Sequence, residues 1–123
     1  ATTPTIVQLP LPSHINTDAV IQAINPATDV DGFSPSNVGS MLLGHPCFLP
    51  ATPKGILKIL EHFNIDVDGK RVAVVGRSNI VGRPVANLLS DRSHNATVTL
   101  CHSRTPNLSQ ILKQMDVIVI GKF

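Results

Sequence analysis

Arg71-Val72-Ala73-Val74-Val75 runs directly into Gly76-Arg77-Ser78-Asn79-Ile80-Val81-Gly82-Arg83-Pro84, and this stretch decides the fold. The apolar run reads as a strand, and Gly76 to Gly82 as a loop. Pro84 marks a helix over Arg83 to Ser90, because proline gives up nothing in the first turn. Further on, Thr97 to Leu100 reads as a strand, Leu108 to Met115 as a helix and Asp116 to Ile120 as a strand. Residues 70–121 thus alternate strand and helix, which implies a parallel sheet with right-handed crossovers. The predicted fold class is α/β: a partial doubly wound, Rossmann-like parallel sheet, preceded by a strand, helix and loop segment.

Working toward the N-terminus, Thr52-Pro53 reads as the start of a helix reaching Asn64, with the Thr52 hydroxyl as cap. Ile56, Leu57, Ile59, Leu60 and Phe63 form its apolar stripe. Residues 27–52 are rich in Gly and Pro, though Asn37 to Leu43 can make a short helix; so long a loop-like segment in a compact domain is usually functional. Asn16 or Thr17 can cap a helix over Asp18 to Ile24, stopped by Asn25-Pro26. Thr5 to Leu9 reads as a strand closed by Pro10 and Pro12.

The chain has 123 residues, with 42% hydrophobic, 15% charged, four Phe, no Trp and no Tyr. That is one core's worth of chain, and the longest apolar run falls far short of the ~20 residues of a membrane span. With no signal-like opening segment, the expected location is the cytoplasm, with no membrane partner. Scarce aromatics argue against stacking on bases, so no nucleic-acid partner is expected. Cys47 and Cys101 have no zinc or disulfide spacing, and the five His show no ligand pattern, so no metal site is expected. Charge is distributed unevenly. Residues 1–53 hold three acidic groups and no Lys or Arg, whereas all ten basic groups follow from Lys54 onward against five acidic ones. The second half suits an anionic ligand, or carries a solvated basic face.

Gly76 to Gly82 lies where a strand feeds its helix, the place for pyrophosphate in such folds, since free backbone N–H groups and the helix dipole converge there. It is neither G-x-G-x-x-G nor a Walker loop, because five residues separate its glycines and Arg83 follows. An ordinary strand-to-helix turn is the alternative. The second strand runs into Cys101-His102-Ser103-Arg104, where an NAD-binding fold normally carries an acid for the ribose hydroxyl. No acid stands there. With Arg77 nearby, the imidazole, hydroxyl and guanidinium of His102, Ser103 and Arg104 suit the 2′-phosphate of NADP. In Asp29-Val30-Asp31-Gly32 the ligands of a calcium loop are incomplete, and Asp31 is either a turn residue before glycine or an anchor for paired N–H donors of a ligand.

Taken together, Val7-Gln8-Leu9-Pro10-Leu11-Pro12 with His14-Ile15-Asn16, Asp29 to Phe33 with Asn37-Val38-Gly39, Thr52-Pro53 with Gly55-Ile56, Gly76 to Pro84, and Cys101 to Thr105 resemble one family in order. That family is the bifunctional methylenetetrahydrofolate dehydrogenase/cyclohydrolases. The resemblance implies NADP as cofactor and tetrahydrofolate derivatives as substrates, with oxidation of the 5,10-methylene form to the 5,10-methenyl form and hydrolysis to the 10-formyl form. It implies a homodimeric parent enzyme serving purine biosynthesis. It places Gln8 in the folate cleft beside a catalytic lysine and Asp31 on the pterin ring, the two expected catalytic positions. Leu9 and Pro10 join them in binding substrate, and Gly76, Arg77, Ser78 and Ser103 contact the cofactor.

There are departures as well. Ala51 stands where the family usually has Cys, and Ser34 where it often has His. The family's catalytic Tyr, with its Lys four residues on, lies upstream of the segment matching Val7 to Pro12, yet this chain has no Tyr and no Lys before Lys54. The expectation is an internal fragment without either activity when assayed alone. Residues 1–52 would be part of a folate-binding catalytic domain, and residues 53–123 an incomplete NADP-binding domain. A free-standing nucleotide-binding or interaction module without chemistry is the rival reading, and it accounts for the missing Lys and Tyr without truncation.

Overall fold

The computed structural model describes residues 3–121. In chain order its elements are α1 (Thr17–Ala23), α2 (Pro35–Leu43), α3 (Ala51–His62), β1 (Arg71–Val75), α4 (Gly82–Ser90), β2 (Thr97–Cys101), α5 (Leu108–Lys113) and β3 (Val117–Ile120). They fall into two units, Ala1–Ala51 and Thr52–Phe123.

In the first unit the Asn16 side-chain oxygen accepts from the Ala19 N–H at 3.1 Å, so Asn16 and not Thr17 caps α1. Helix α2 begins two residues before the expected Asn37, because Ser34 is its cap and Pro35 its first residue. The expected strand over Thr5 to Leu9 does not form. Thr5 makes a single parallel bridge with Asp29, its N–H donating to the Thr28 carbonyl at 2.8 Å. No ladder can grow from it: the partner chain turns back at once, with Gly32 N–H donating to the Asp29 carbonyl at 3.1 Å, and Pro10 and Pro12 have no donor to offer.

Helix α3, all but its first residue in the second unit, starts at Ala51, leaving Thr52 inside the helix instead of capping it. The signal was displaced because none of the first N–H groups of a helix has an intrahelical partner, so Pro53 is tolerated anywhere in the first turn. Helix α5 stops two residues before the expected Met115, because Gln114 and Met115 donate three residues back, to Ile111 at 3.1 Å and Leu112 at 3.2 Å. The three strands are parallel in the order β2-β1-β3. On one sheet face Val72 and Val74 pack with Val85 and Leu89 of α4, Leu60 of α3, and Val67 and Ala96. Val98, Val117 and Val119 complete this core from the flanking strands. Alternation along the strands sends Ala73, Val75 and Cys101 to the opposite face, where all three are also buried.

The order β2-β1-β3 has a functional meaning. The chain leaves β1 for β2 on one side and returns to place β3 on the other, so the winding reverses at β1. Open α/β sheets bind ligands beyond the carboxyl ends of their strands at such a reversal. Among the described residues, no helix is long and apolar enough to cross a membrane.

Candidate functional site

The carboxyl end of β1 is tied to both neighbours. Gly76 N–H donates to the Cys101 carbonyl at the end of β2, and Gly121 N–H donates to the Val75 carbonyl, each at 2.8 Å. Val75 and Cys101 are register partners, so Arg77 and the His102-Ser103 pair issue from adjacent strand ends at the same level. Gly76 has φ +113, open to glycine and strained for other residues. A Cβ on Gly82 would collide with the Gly76 carbonyl, so the two glycines of the loop are packed backbone to backbone.

Helix α4 opens differently from the expectation of free N–H groups at its first turn. The Ser78 Oγ accepts from Val81 N–H at 3.1 Å and Gly82 N–H at 3.4 Å. The Ser78 carbonyl accepts from Arg83 N–H at 3.0 Å, Pro84 has no donor, and Val85 N–H donates to the Val81 carbonyl at 2.9 Å. The donors at the helix start are therefore used inside the protein. Among the described residues, those left without a protein partner are one step earlier, on Arg77, Ser78, Asn79 and Ile80. Four consecutive N–H groups without a protein partner are thus left to donate to an anion. The Ser78 side chain, expected as a cofactor contact, accepts two N–H groups of this loop and keeps its O–H to donate. Ser78→Ala should lower the stability of the second unit by about 1 kcal/mol, as loss of a cap does, read as a shift in the urea midpoint.

At the end of β2, residues 102–105 form a closed turn, with Thr105 N–H donating to the His102 carbonyl at 3.0 Å. The Ser103 and Arg104 side chains are exposed, and His102 is half-buried. The one ion pair among the described residues is Lys58–Glu61 at 3.9 Å, so Arg77 and Arg104 face solvent without a carboxylate partner. Their charge is available to an anion.

The first unit is organised around Asp29, which the residue pattern does not set apart from Asp31. Asp29 is 1% exposed. Its Oδ2 accepts from Ser34 N–H at 2.7 Å and from the Asn37 Nδ2 at 3.0 Å, and the same Nδ2 donates to the Pro26 carbonyl at 3.0 Å. Burial pushes this carboxyl up, but hydrogen bonds from Asn37, the Ser34 and Phe33 N–H groups and the Ser34 hydroxyl outweigh it and hold it below the ordinary value of 3.8. The signal that could have found it was Ser34 and Asn37 at the start of α2, two donors with nothing apolar to pack.

Asp31 is the outer acid, half-buried, and no hydrogen bond to its side chain occurs among the described residues. It occupies the turn from Asp29 to Gly32, whose Gly32 has φ +68 and would drive a Cβ into the Phe48 carbonyl. Gln8 is exposed, its amide donating to the Leu9 carbonyl at 3.3 Å; Leu9 is half-buried and Pro10 exposed. The bridge between Thr5 and Asp29 joins the segments bearing Gln8 and Asp31 and sends them off in the same chain direction. Of the two departures, Ser34 is buried as the α2 cap and Ala51 is exposed at the start of α3. Among the described residues, no three His, Cys, Asp or Glu side chains gather as a metal site would require.

A parallel sheet whose winding reverses at β1, with a free-donor loop on one strand end and a carboxylate-free, arginine-bearing turn on the next, defines a nucleotide-binding α/β protein. The NAD(P)-binding domain of the tetrahydrofolate dehydrogenase/cyclohydrolases matches residues 50–122, and the chain belongs to that family. It is 58% identical over 116 residues to the bifunctional protein FolD of Bacillus subtilis, an overlap of 94% of this chain and 40% of that protein. The crystal structure of the bifunctional FolD of Campylobacter jejuni superposes with a TM-score of 0.88 at 46% identity, covering 93% of this chain and 40% of that one. The Trypanosoma brucei enzyme, solved with NADP and an inhibitor, superposes with a TM-score of 0.89 at 37% identity, covering 96% and 40%. The chain thus spans about 40% of the length of the curated relatives it matches.

Proposed function

We propose that this chain supplies the substrate-contact and cofactor-contact residues of an NADP-linked 5,10-methylenetetrahydrofolate dehydrogenase and 5,10-methenyltetrahydrofolate cyclohydrolase. The observation that carries the coenzyme half is the run of free N–H groups over Arg77 to Ile80 beside a turn that offers Ser103 and Arg104 and no carboxylate. These groups fit a dinucleotide: the loop donors suit its pyrophosphate, and Arg77, Ser103 and Arg104 suit a 2′-phosphate, which a carboxylate would repel. A coenzyme bound there would supply hydride acceptance, and the loop after β1 and the turn after β2 would hold and orient it. Residues 53–123 are accordingly its NADP-binding part, and residues 1–52 part of the folate-binding region.

On the folate side, Asp31 is free to accept paired N–H donors of a pterin edge, while Asp29 behind it is already committed to the protein. Oxidation removes a hydride from the methylene carbon and leaves the methenyl cation; water then adds with loss of a proton, and the ring opens to the 10-formyl product. That proton needs a base tuned near neutrality. Gln8 can orient such a base and cannot replace it, having no proton to take or give at that pH. Family membership also supports a role in cytoplasmic one-carbon metabolism feeding purine biosynthesis, in a homodimer of the longer enzyme.

The test is equilibrium binding. The 123-residue chain should bind NADP more tightly than NAD, and Arg77→Ala should weaken NADP about tenfold while leaving NAD unchanged, the loss of one charge-assisted contact. Equal binding of the two coenzymes, unaffected by Arg77→Ala, would remove the basis for the 2′-phosphate assignment.

A further inference from the structure

The turn after β2 accounts for its own donors in an unusual way. His102 N–H donates to the Thr105 Oγ1 at 2.8 Å, and Thr105 N–H returns to the His102 carbonyl at 3.0 Å. Arg104 N–H donates to the His102 Nδ1 at 3.2 Å. The imidazole thus does what an Asn or Asp side chain does in a turn, accepting from the N–H two residues on. With Nδ1 an acceptor, the neutral ring carries its proton on Nε2. Three of the four N–H groups of the turn are consumed internally. Among the described residues the one left over is Ser103 N–H, next to the exposed Ser103 hydroxyl and Arg104 guanidinium.

We propose that His102 is a positioning residue that sets coenzyme specificity: by tying down the Arg104 backbone, it holds Ser103 N–H, the Ser103 hydroxyl and the Arg104 guanidinium as one donor cluster for a phosphate ester on the ribose. The inference rests on the coenzyme reading above and deepens it. A ribose hydroxyl asks for an acceptor as well as a donor, and this turn offers donors in its place. Because Nδ1 is turned to the Arg104 backbone, the ring acts on this cluster through its neighbours, with only Nε2–H left to donate outward. Without that acceptor the Arg104 N–H loses its partner, the turn samples other conformations, and the cluster no longer meets one phosphate at once. The Gly76 tie to the Cys101 carbonyl lies outside the turn, so the pyrophosphate loop is left intact.

The experiment is titration calorimetry of NADP and NAD against the 123-residue chain, His102→Ala and His102→Asn. The asparagine can supply an oxygen to the N–H two residues on and should restore the turn. Expected is a fall of about tenfold in the preference for NADP over NAD in His102→Ala, with NAD affinity unchanged and the preference regained in His102→Asn. An unchanged preference in His102→Ala overturns the proposal while the coenzyme reading stands. An equal loss for both coenzymes also overturns it, since it shows a general structural role. If the unsubstituted chain has no preference for NADP, the coenzyme reading itself fails and this inference with it.

Discussion

Gly82→Ala should destabilise the second unit by about 3 kcal/mol and abolish nucleotide binding, a larger effect than a methyl group normally has. The added Cβ would overlap the carbonyl oxygen and carbon of Gly76 and press on the Arg77 Cα. All three are backbone atoms, so no rotamer change relieves the clash and the loop must open. Opening it withdraws the acceptors on Ser78 from the first turn of α4 and scatters the free N–H groups of residues 77–80. Gly55→Ala is the control. Gly55 lies within α3 and has nothing within 4 Å of its added Cβ, so the same chemical change should be neutral or stabilise by up to about 1 kcal/mol. Urea denaturation of the two variants side by side measures the contrast, and comparable midpoints would show that the close approach of the two glycines is not what shapes the loop.

Asp29→Ala should cost the first unit about 3 kcal/mol, because a buried acceptor is removed while its donors stay behind. The Ser34 N–H loses its partner, and the Asn37 Nδ2 keeps only the Pro26 carbonyl. Since the α2 cap and the Asp31 turn are both tied to Asp29, loss of order should extend to both and be visible as faster amide exchange over residues 29–37. The same carboxyl makes the unit acid-sensitive. Its folded-state value is depressed, so its contribution is complete above the unfolded value of 3.8 and is lost as pH falls through the lower folded value. In that window the unfolded chain binds more protons, so stability rises with pH; in Asp29→Ala the slope below pH ~4 should flatten. A variant with the wild-type acid profile would place the sensitivity on another carboxylate.

The second unit was legible because its signals are local and redundant. The valine run, the glycines at the strand end and Pro84 each point to the same strand-loop-helix, and β1 matches its expected span residue for residue. The boundaries of α3 and α5 shifted by two residues, where a proline is tolerated at several first-turn positions and where the last turn tightens. In the first unit the information lies between segments far apart in sequence. Nothing local shows that Thr5 has only one partner, or which of Asp29 and Asp31 turns inward, since both precede a turn and neither has a basic neighbour. The candidate site divides in the same way. Arg77, Ser103 and Arg104 stand out as candidates by residue type and by the absence of an acid. That Ser78 consumes the helix donors, leaving the unpartnered N–H groups in the loop, depends on hydrogen bonds that no residue pattern specifies.

Whether the ends of β1 and β2 form an NADP site in this chain can be read from the amide shifts of the isotopically labelled chain as NADP is added. Perturbations should concentrate on residues 76–80 and 102–105, with NAD shifting the first segment and leaving the second nearly unmoved. Perturbation of neither segment, or the same response to both coenzymes at residues 102–105, would contradict an NADP site there.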